Sequence, residues 1–97
     1  MAYKLTVLDG ALEDLDEAVE WYAEISSSLP IDIASLYKTA LNEIQHKPLV
    51  STKLRSGYRK VNLERFPYKI VFKILEEEIL VVAVAHHKRK PNYWKNR

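Results

Sequence analysis

The spacing of the apolar residues changes once along the chain, near Pro48, and this change limits the possible folds most. Before it, two segments carry apolar residues three and four positions apart, as amphipathic helices do. The first runs from about residue 10 to 26, and the second has a stripe from Ile33 to Ile44. The second helix should end before Pro48, because a residue preceding proline is disfavoured in the helical region. The sequence therefore predicts a helical hairpin.

After Pro48 the apolar residues recur at every second position, which is typical of strands. Three strands are predicted over residues 58–63, 68–75 and 79–86, and a short strand over residues 3–8 precedes the helices. The last strand is apolar on both faces, as expected inside a sheet. The order β-α-α-β-β-β predicts an α+β fold in which the hairpin packs on a small sheet.

The composition indicates one globular domain. The 97 residues are enough for a single domain, which we expect to span residues 1–97. The absence of cysteine excludes a disulfide framework, a thiol nucleophile and a cysteine-ligated zinc site. The longest apolar run, residues 79–85, is far shorter than the ~20 residues of a membrane helix. Acidic residues from position 9 onward also argue against a signal peptide, so we expect a cytoplasmic protein with no membrane partner.

Acidic and basic residues are divided between the two halves of the chain. Residues 1–33 hold one lysine against eight acidic residues, whereas residues 34–97 hold fourteen lysines and arginines against five acidic residues. The last twelve residues, 86–97, carry five lysines and arginines, two histidines and no acidic residue. This distribution predicts an anionic partner for the second half, although charge runs also arise on ordinary solvated surfaces.

Aromatic residues lie among these cations. RNA-binding surfaces combine cations that hold phosphates with aromatic rings that stack on bases. Candidate phosphate-binding residues are Lys53, Arg55, Arg59, Lys60, Lys88 and Arg89. Tyr68 and Trp94 are candidate partner-binding residues, with packing in the core as the alternative.

His86 and His87 are adjacent at the end of the last predicted strand, so their side chains should point to opposite faces and not share a metal ion. The two glycines, Gly10 and Gly57, cannot form a phosphate-binding loop, and we expect neither cofactor nor metal. Cleavage of RNA would need one group to remove the 2′-hydroxyl proton and another to protonate the 5′-oxygen. The histidines and Tyr93 are the candidate proton carriers.

Three segments, in a fixed order, carry a family resemblance. They are Ala11-x-x-Asp14-Leu15-x-x-Ala18 with Trp21-Tyr22, then Phe66-Pro67-Tyr68-Lys69-Ile70-Val71-Phe72, then Val81-Val82-Ala83-Val84-Ala85-His86 followed by Arg89-x-Pro91-x-Tyr93-Trp94. With this order and spacing, the chain resembles the RelE/ParE toxins of bacterial type II toxin–antitoxin systems over nearly its whole length. The resemblance implies two helices on a small, mainly antiparallel sheet, followed by a short basic C-terminal tail.

The resemblance also implies one of two activities. RelE-like members cleave mRNA in the ribosomal decoding site, and ParE-like members poison DNA gyrase without catalysis. By motif position, Lys60 matches a lysine of the RelE-type set, Tyr93 matches its late tyrosine, and Lys69 stands where an arginine is expected. His87, or His86 if the register shifts by one, stands near the expected proton-donating arginine.

These partly retained positions favour a ribosome-dependent mRNA endoribonuclease that needs no metal. Gyrase poisoning is the first alternative, and a non-toxic basic RNA-binding module is the second. The resemblance further implies a cognate antitoxin that forms a hetero-oligomer with the toxin. The positive charge of the second half predicts that the bound antitoxin segment is acidic and amphipathic and folds on binding. We expect it to cover Lys69, Arg89 and Trp94, or to displace the tail.

Overall fold

The predicted helical hairpin is present in the computed structural model, which describes residues 3–90 and 93–97. Helix α1 spans Asp9–Ile25 and helix α2 spans Leu29–His46. Pro30 lies in the first turn of α2, where a missing backbone N–H costs no helical hydrogen bond. Pro91 of the last sequence motif lies outside the described residues.

Five strands follow the predicted order, with one addition. Strand β1 spans Lys4–Val7, β3 spans Tyr58–Asn62, β4 spans Tyr68–Leu75 and β5 spans Glu78–His86. The addition is the two-residue strand β2, Thr52–Lys53, which lies between two single-turn 3₁₀ helices, Pro48–Val50 and Arg55–Gly57.

The strands form one sheet in the order β1-β5-β4-β3-β2. Only the pairing of β1 with β5 is parallel among the described strands, so the predicted α+β fold with a mainly antiparallel sheet is confirmed. Strand β5 lies between β1 and β4, which explains why its sequence is apolar on both faces.

A β-bulge changes which side chains of β5 face the helices. Val81 pairs with Phe72 and Ala83 pairs with Val71, so Val82 has no counterpart on β4. The extra residue shifts the alternation along the strand. As a result, Val81 and Val84 pack with the helices, whereas Val82 and Ala83 both belong to the cluster on the opposite face.

The sheet therefore separates two apolar clusters. The helix-side cluster contains fully buried Ile33, Ile44, Ile70 and Phe72. The tail-side cluster lies on the other face, and its buried members are Tyr58, Val71, Val82, Ala83, Ala85 and Trp94. Within residues 3–90 and 93–97, no helix is long and apolar enough to span a membrane.

Strand β1 covers only the first part of β5. The parallel pairing ends where Val7 faces Val81, and the backbone N–H of Leu8 makes the last bond, to the carbonyl of Val81. Beyond that point the outer edge of β5 has no neighbouring strand in the described part of the chain, although β5 continues to His86. This free edge borders the candidate site.

Candidate functional site

Three lysines share the face of the sheet that is turned away from the helices. The Lys69 Nζ lies 5.8 Å from the ring centre of Trp94, and the Lys73 Nζ lies 5.3 Å from that of Tyr58. Lys60 is directly opposite Val71, a member of the tail-side cluster, and directly paired residues project to the same face. Lys60, Lys69 and Lys73, together with His87, are called the basic face below.

The two histidines lie on opposite faces, as adjacent positions at a strand end predict. The ring of His86 packs edge-on against Tyr68 at 5.1 Å, and Tyr68 packs against Tyr22 of α1, so His86 is on the helix side. The His86 Nδ1 accepts a hydrogen bond from the backbone N–H of Lys88 at 3.0 Å. His87 is exposed at the end of β5. Loss of part of its hydration, and then the positive charges of Lys69 and Lys60, lower its pKa.

A buried carboxylate connects α1 to the end of the chain. Asp14 is only 7% exposed and accepts hydrogen bonds from two nitrogens of the Arg97 guanidinium at 2.7 and 3.1 Å. It also accepts the hydroxyl of Tyr93 at 3.0 Å and the backbone N–H of Val84 at 3.1 Å. Asp14, Tyr93 and Arg97 are called the tail latch below, because they tie residues 93–97 to the body of the protein.

The tail latch also satisfies the free edge of β5. Asp14 accepts a hydrogen bond from the backbone N–H of Val84, and Arg97 donates one to the backbone carbonyl of Val82 at 3.0 Å. Two side chains thus replace the strand that would otherwise continue β1. The guanidinium passes over Gly10, where a Cβ atom would lie 2.6 Å from the Arg97 Nε, so glycine leaves the space that the arginine needs.

Two guanidinium groups contact the ring of Tyr93, in addition to the hydrogen bond that its hydroxyl donates. The guanidinium of Arg89 lies 3.9 Å from the ring centre, and that of Arg97 lies 4.9 Å from it. Burial, and then the negative charge of Asp14, raise the pKa of the Tyr93 phenol. The phenol therefore keeps its proton at neutral pH and donates it in a hydrogen bond to Asp14.

The other predicted phosphate-binding residues are dispersed. Arg59 donates to the backbone carbonyls of Ser51 and Leu49 at 3.1 and 3.4 Å, and so braces the first 3₁₀ turn. Lys60 also lines a groove of about 550 Å³ between α2 and β3. Exposed positions are occupied by Lys53, Arg55, Lys88 and Arg89.

The two predicted partner-binding aromatics lie on different faces. Tyr68 is half-buried on the helix side, next to Tyr22. Trp94 is 3% exposed in the tail-side cluster, and its indole Nε1 is buried without a hydrogen-bond partner among the described residues. The structure thus brings Lys60, Lys69 and His87 to one face and leaves His86 and Tyr68 on the other.

Asp14 and Arg97 are the residues that sequence reasoning missed as site candidates. The sequence pattern contained one signal for Asp14, which falls on the same buried stripe of α1 as Ala11 and Ala18. A carboxylate on a buried helix face needs a partner of opposite charge. No comparable pattern marked Arg97, which lies 83 residues away in sequence. Among residues 3–90 and 93–97, no three histidine, aspartate or glutamate side chains converge as a metal site would require.

A helical hairpin on a small, mainly antiparallel sheet, followed by a short cationic tail, is the architecture that the resemblance implied for a small toxin. The family model described as the ParE toxin of the type II toxin–antitoxin system parDE matches residues 5–91. The chain therefore belongs to the ParE toxin family of type II toxin–antitoxin systems. The family predicted from the three sequence motifs is confirmed.

Individual relatives match over most of their length. Toxin ParE2 of Mycobacterium tuberculosis is 29% identical over 93 residues, which are 95% of this chain and 89% of that protein. A chain of the chromosomal ParDE system from P. aeruginosa has a TM-score of 0.77 at 19% identity, covering 88% of this chain and 96% of that one. A double arginine-to-alanine variant of E. coli RelE in the free state has a TM-score of 0.63 at 22% identity, covering 91% and 86%. At these identities the solved structures support the fold alone.

Proposed function

We propose that this toxin inhibits growth as a ParE-like, non-enzymatic poison of DNA gyrase. The family match supports the ParE-like alternative over the RelE-like one that the partly retained motif positions favoured. The observation that carries the proposal is the hydrogen bond from the Tyr93 hydroxyl to Asp14. A phenol that is committed to a buried carboxylate is a poor proton donor for a substrate.

The other candidate proton carriers lie on different faces of the sheet, which also supports the non-enzymatic proposal. General acid–base cleavage of RNA uses one group that removes a proton and a second that supplies one. His86 lies on the helix side with its Nδ1 bonded to the Lys88 N–H, whereas Lys60 and Lys69 lie on the basic face. His87 is then the only imidazole of the described residues beside those lysines. A surface with a single imidazole among lysines is better suited to binding than to acid–base catalysis.

The first experiment separates the two mechanisms in cells. We expect induction of the wild-type toxin to activate an SOS reporter and to leave the pattern of mRNA 5′ ends unchanged. His87→Ala should retain growth inhibition, because it leaves the three lysines of the basic face in place. With purified gyrase, the wild-type protein should inhibit supercoiling and trap cleaved DNA, and Glu24→Gln serves as a control at an exposed position of α1.

The opposite result would establish the second candidate, ribosome-dependent mRNA cleavage. The observation that favours it is the lowered pKa of His87, which leaves a neutral imidazole able to accept a proton beside two lysines. In that case new mRNA 5′ ends would appear on induction, and His87→Ala would abolish both cleavage and toxicity. Such an outcome, without DNA damage, would overturn the gyrase proposal.

The antitoxin of this module is the second proposed partner. The cations of the basic face and Arg89 suit an acidic, amphipathic segment that orders on binding and forms a hetero-oligomer with the toxin. Lys69 and Arg89 are accessible to such a segment, whereas Trp94 lies beneath Lys69 and is reached only when the tail moves. Tyr68 would be contacted from the helix side.

A further inference from the structure

Burial of the Asp14 charge does not help α1 to pack, and the groups that compensate for it belong to the tail and to β5. Asp14 is the one buried charged residue among those that the structure describes. Burying an unpaired carboxylate is strongly unfavourable, so an apolar side chain at this position would pack better in the helix. The compensating partners come from outside the helix, namely Arg97, Tyr93 and the Val84 N–H.

The tail in turn depends on Asp14 for its geometry. Arg97 donates both of its terminal nitrogens to this carboxylate, and Tyr93 donates its hydroxyl to it. The ring of Tyr93 then supports the guanidinium of Arg89 at 3.9 Å. A continuous series of contacts therefore runs from Asp14 through Tyr93 to an exposed cation of the tail.

We propose that Asp14 is a positioning residue of the toxin, which fixes the cationic tail against the sheet in the arrangement that inhibits growth. The inference rests on the proposed function in one respect, that the protein inhibits growth, and it adds that the toxic surface includes the tail. Growth inhibition is its readout, so it does not depend on whether gyrase or the ribosome is the target.

The position of the tail can be measured with a single fluorophore. The chain has two tryptophans, of which Trp21 is 61% exposed and Trp94 is 3% exposed. In a Trp21→Phe background, the emission and the acrylamide quenching report on Trp94 alone. We expect Asp14→Asn in this background to shift the emission to the red and to raise quenching toward that of an exposed tryptophan.

A matched control separates the latch from general charge effects. Asp16→Asn removes the same charge from an exposed position two residues away on α1, and should leave both the fluorescence and growth inhibition unchanged. Asp14→Glu keeps the carboxylate and should restore part of the growth inhibition that Asp14→Asn loses. Arg97→Gln removes the partner of Asp14 in the tail and leaves the sequence of α1 intact. It should cause the same loss of growth inhibition.

Hydrogen exchange gives an independent measure of the latch. Charge-assisted hydrogen bonds are strong enough that loss of the Asp14 carboxylate should speed exchange of the Val84 amide by on the order of 10-fold. Helix-side amides such as that of Ile70 should keep their protection, which checks that the variant is folded.

Each outcome has a defined meaning. Loss of growth inhibition together with exposure of Trp94 in Asp14→Asn and Arg97→Gln supports the proposal. A Trp94 that stays shielded, or a released tail with full growth inhibition, overturns it, as does an equal loss in Asp16→Asn. If the wild-type protein fails to inhibit gyrase while Asp14→Asn abolishes growth inhibition, the gyrase proposal fails and the role of Asp14 stands.

Discussion

The two faces of the sheet are covered by layers that are attached in different ways. On the helix side, two long helices bury fully enclosed aliphatic and aromatic side chains such as Ile33 and Phe72. On the other face, the tail is attached by one buried tryptophan and the hydrogen bonds of the tail latch. Hydrophobic burial is non-directional and spread over many atoms, whereas hydrogen bonds depend on a few groups. Single substitutions can therefore detach the tail while the helices stay in place.

The largest effect should come from the helix side. Phe72→Ala removes a fully buried ring from the centre of β4, and we expect a loss of about 3–5 kcal/mol in the free energy of unfolding. Urea unfolding monitored by circular dichroism measures this loss. Leu75→Ala, on the same strand but 46% exposed, should cost far less. If Phe72→Ala lowers the free energy of unfolding less than Trp94→Ala does, the helix side does not contribute more to stability than the tail side.

The next effect concerns the tail side. Trp94→Ala should cost about 1–3 kcal/mol, because the tail can detach once its anchor is lost and the rest of the domain stays folded. If the antitoxin also binds this side chain, the free energy of binding between antitoxin and toxin should weaken by at least ~2 kcal/mol in Trp94→Ala, as for other aromatic anchors at interfaces.

Calorimetric titration with the antitoxin, together with the melting temperature, separates the two roles of Trp94. Asp14→Asn is the control, since it releases the tail but keeps the tryptophan. An unchanged dissociation constant for Trp94→Ala would exclude Trp94 as an interface residue and leave it as a residue that seals the tail-side cluster.

The helix side was also the part that the sequence predicted well. The stripe from Ile33 to Ile44 and the alternation over residues 68–75 are local patterns, and each reports which face a segment buries. The family was predicted from three motifs spread along the chain, the last of which includes Tyr93. Strand β2 was missed because its two residues, Thr52 and Lys53, are exposed and paired through the backbone, so no alternation marks them.

The tail side was predicted less well for a physical reason. The bulge at Val82 lies in a run of apolar residues, where an extra residue leaves no trace in the pattern. The bond between Asp14 and Arg97 joins positions 83 residues apart, and only the folded chain brings them together. Tyr93 was singled out by its motif position as a proton carrier, a role that stays a prediction, and its bond to Asp14 depends on the same long-range contact.

The smallest effect should come from His87 on the basic face. Its pKa is lowered from the ordinary value of 6.5, so the unfolded chain binds a proton there more readily than the folded protein. The free energy of unfolding should therefore decrease as the pH falls below about 6.5. His87→Gln should flatten this part of the pH profile, with a change in Tm of less than about 4 °C because the side chain is exposed.

Differential scanning calorimetry between pH 5 and 8 would measure this effect. Val50→Gln, which replaces an exposed side chain that has no titratable group, is the control and should leave the profile unaltered. A profile that keeps its slope in His87→Gln would mean that the slope arises from other groups.

The early end of β1 has a consequence for how the molecule behaves at high concentration. A strand edge with open N–H and carbonyl groups is a template for pairing with another chain, and proteins commonly block such edges. Here the carboxylate of Asp14 and the guanidinium of Arg97 occupy the Val84 N–H and the Val82 carbonyl. We therefore expect the pair to hinder pairing of this edge with other molecules, and loss of either partner to expose one side of the most apolar strand of the protein to its neighbours in solution.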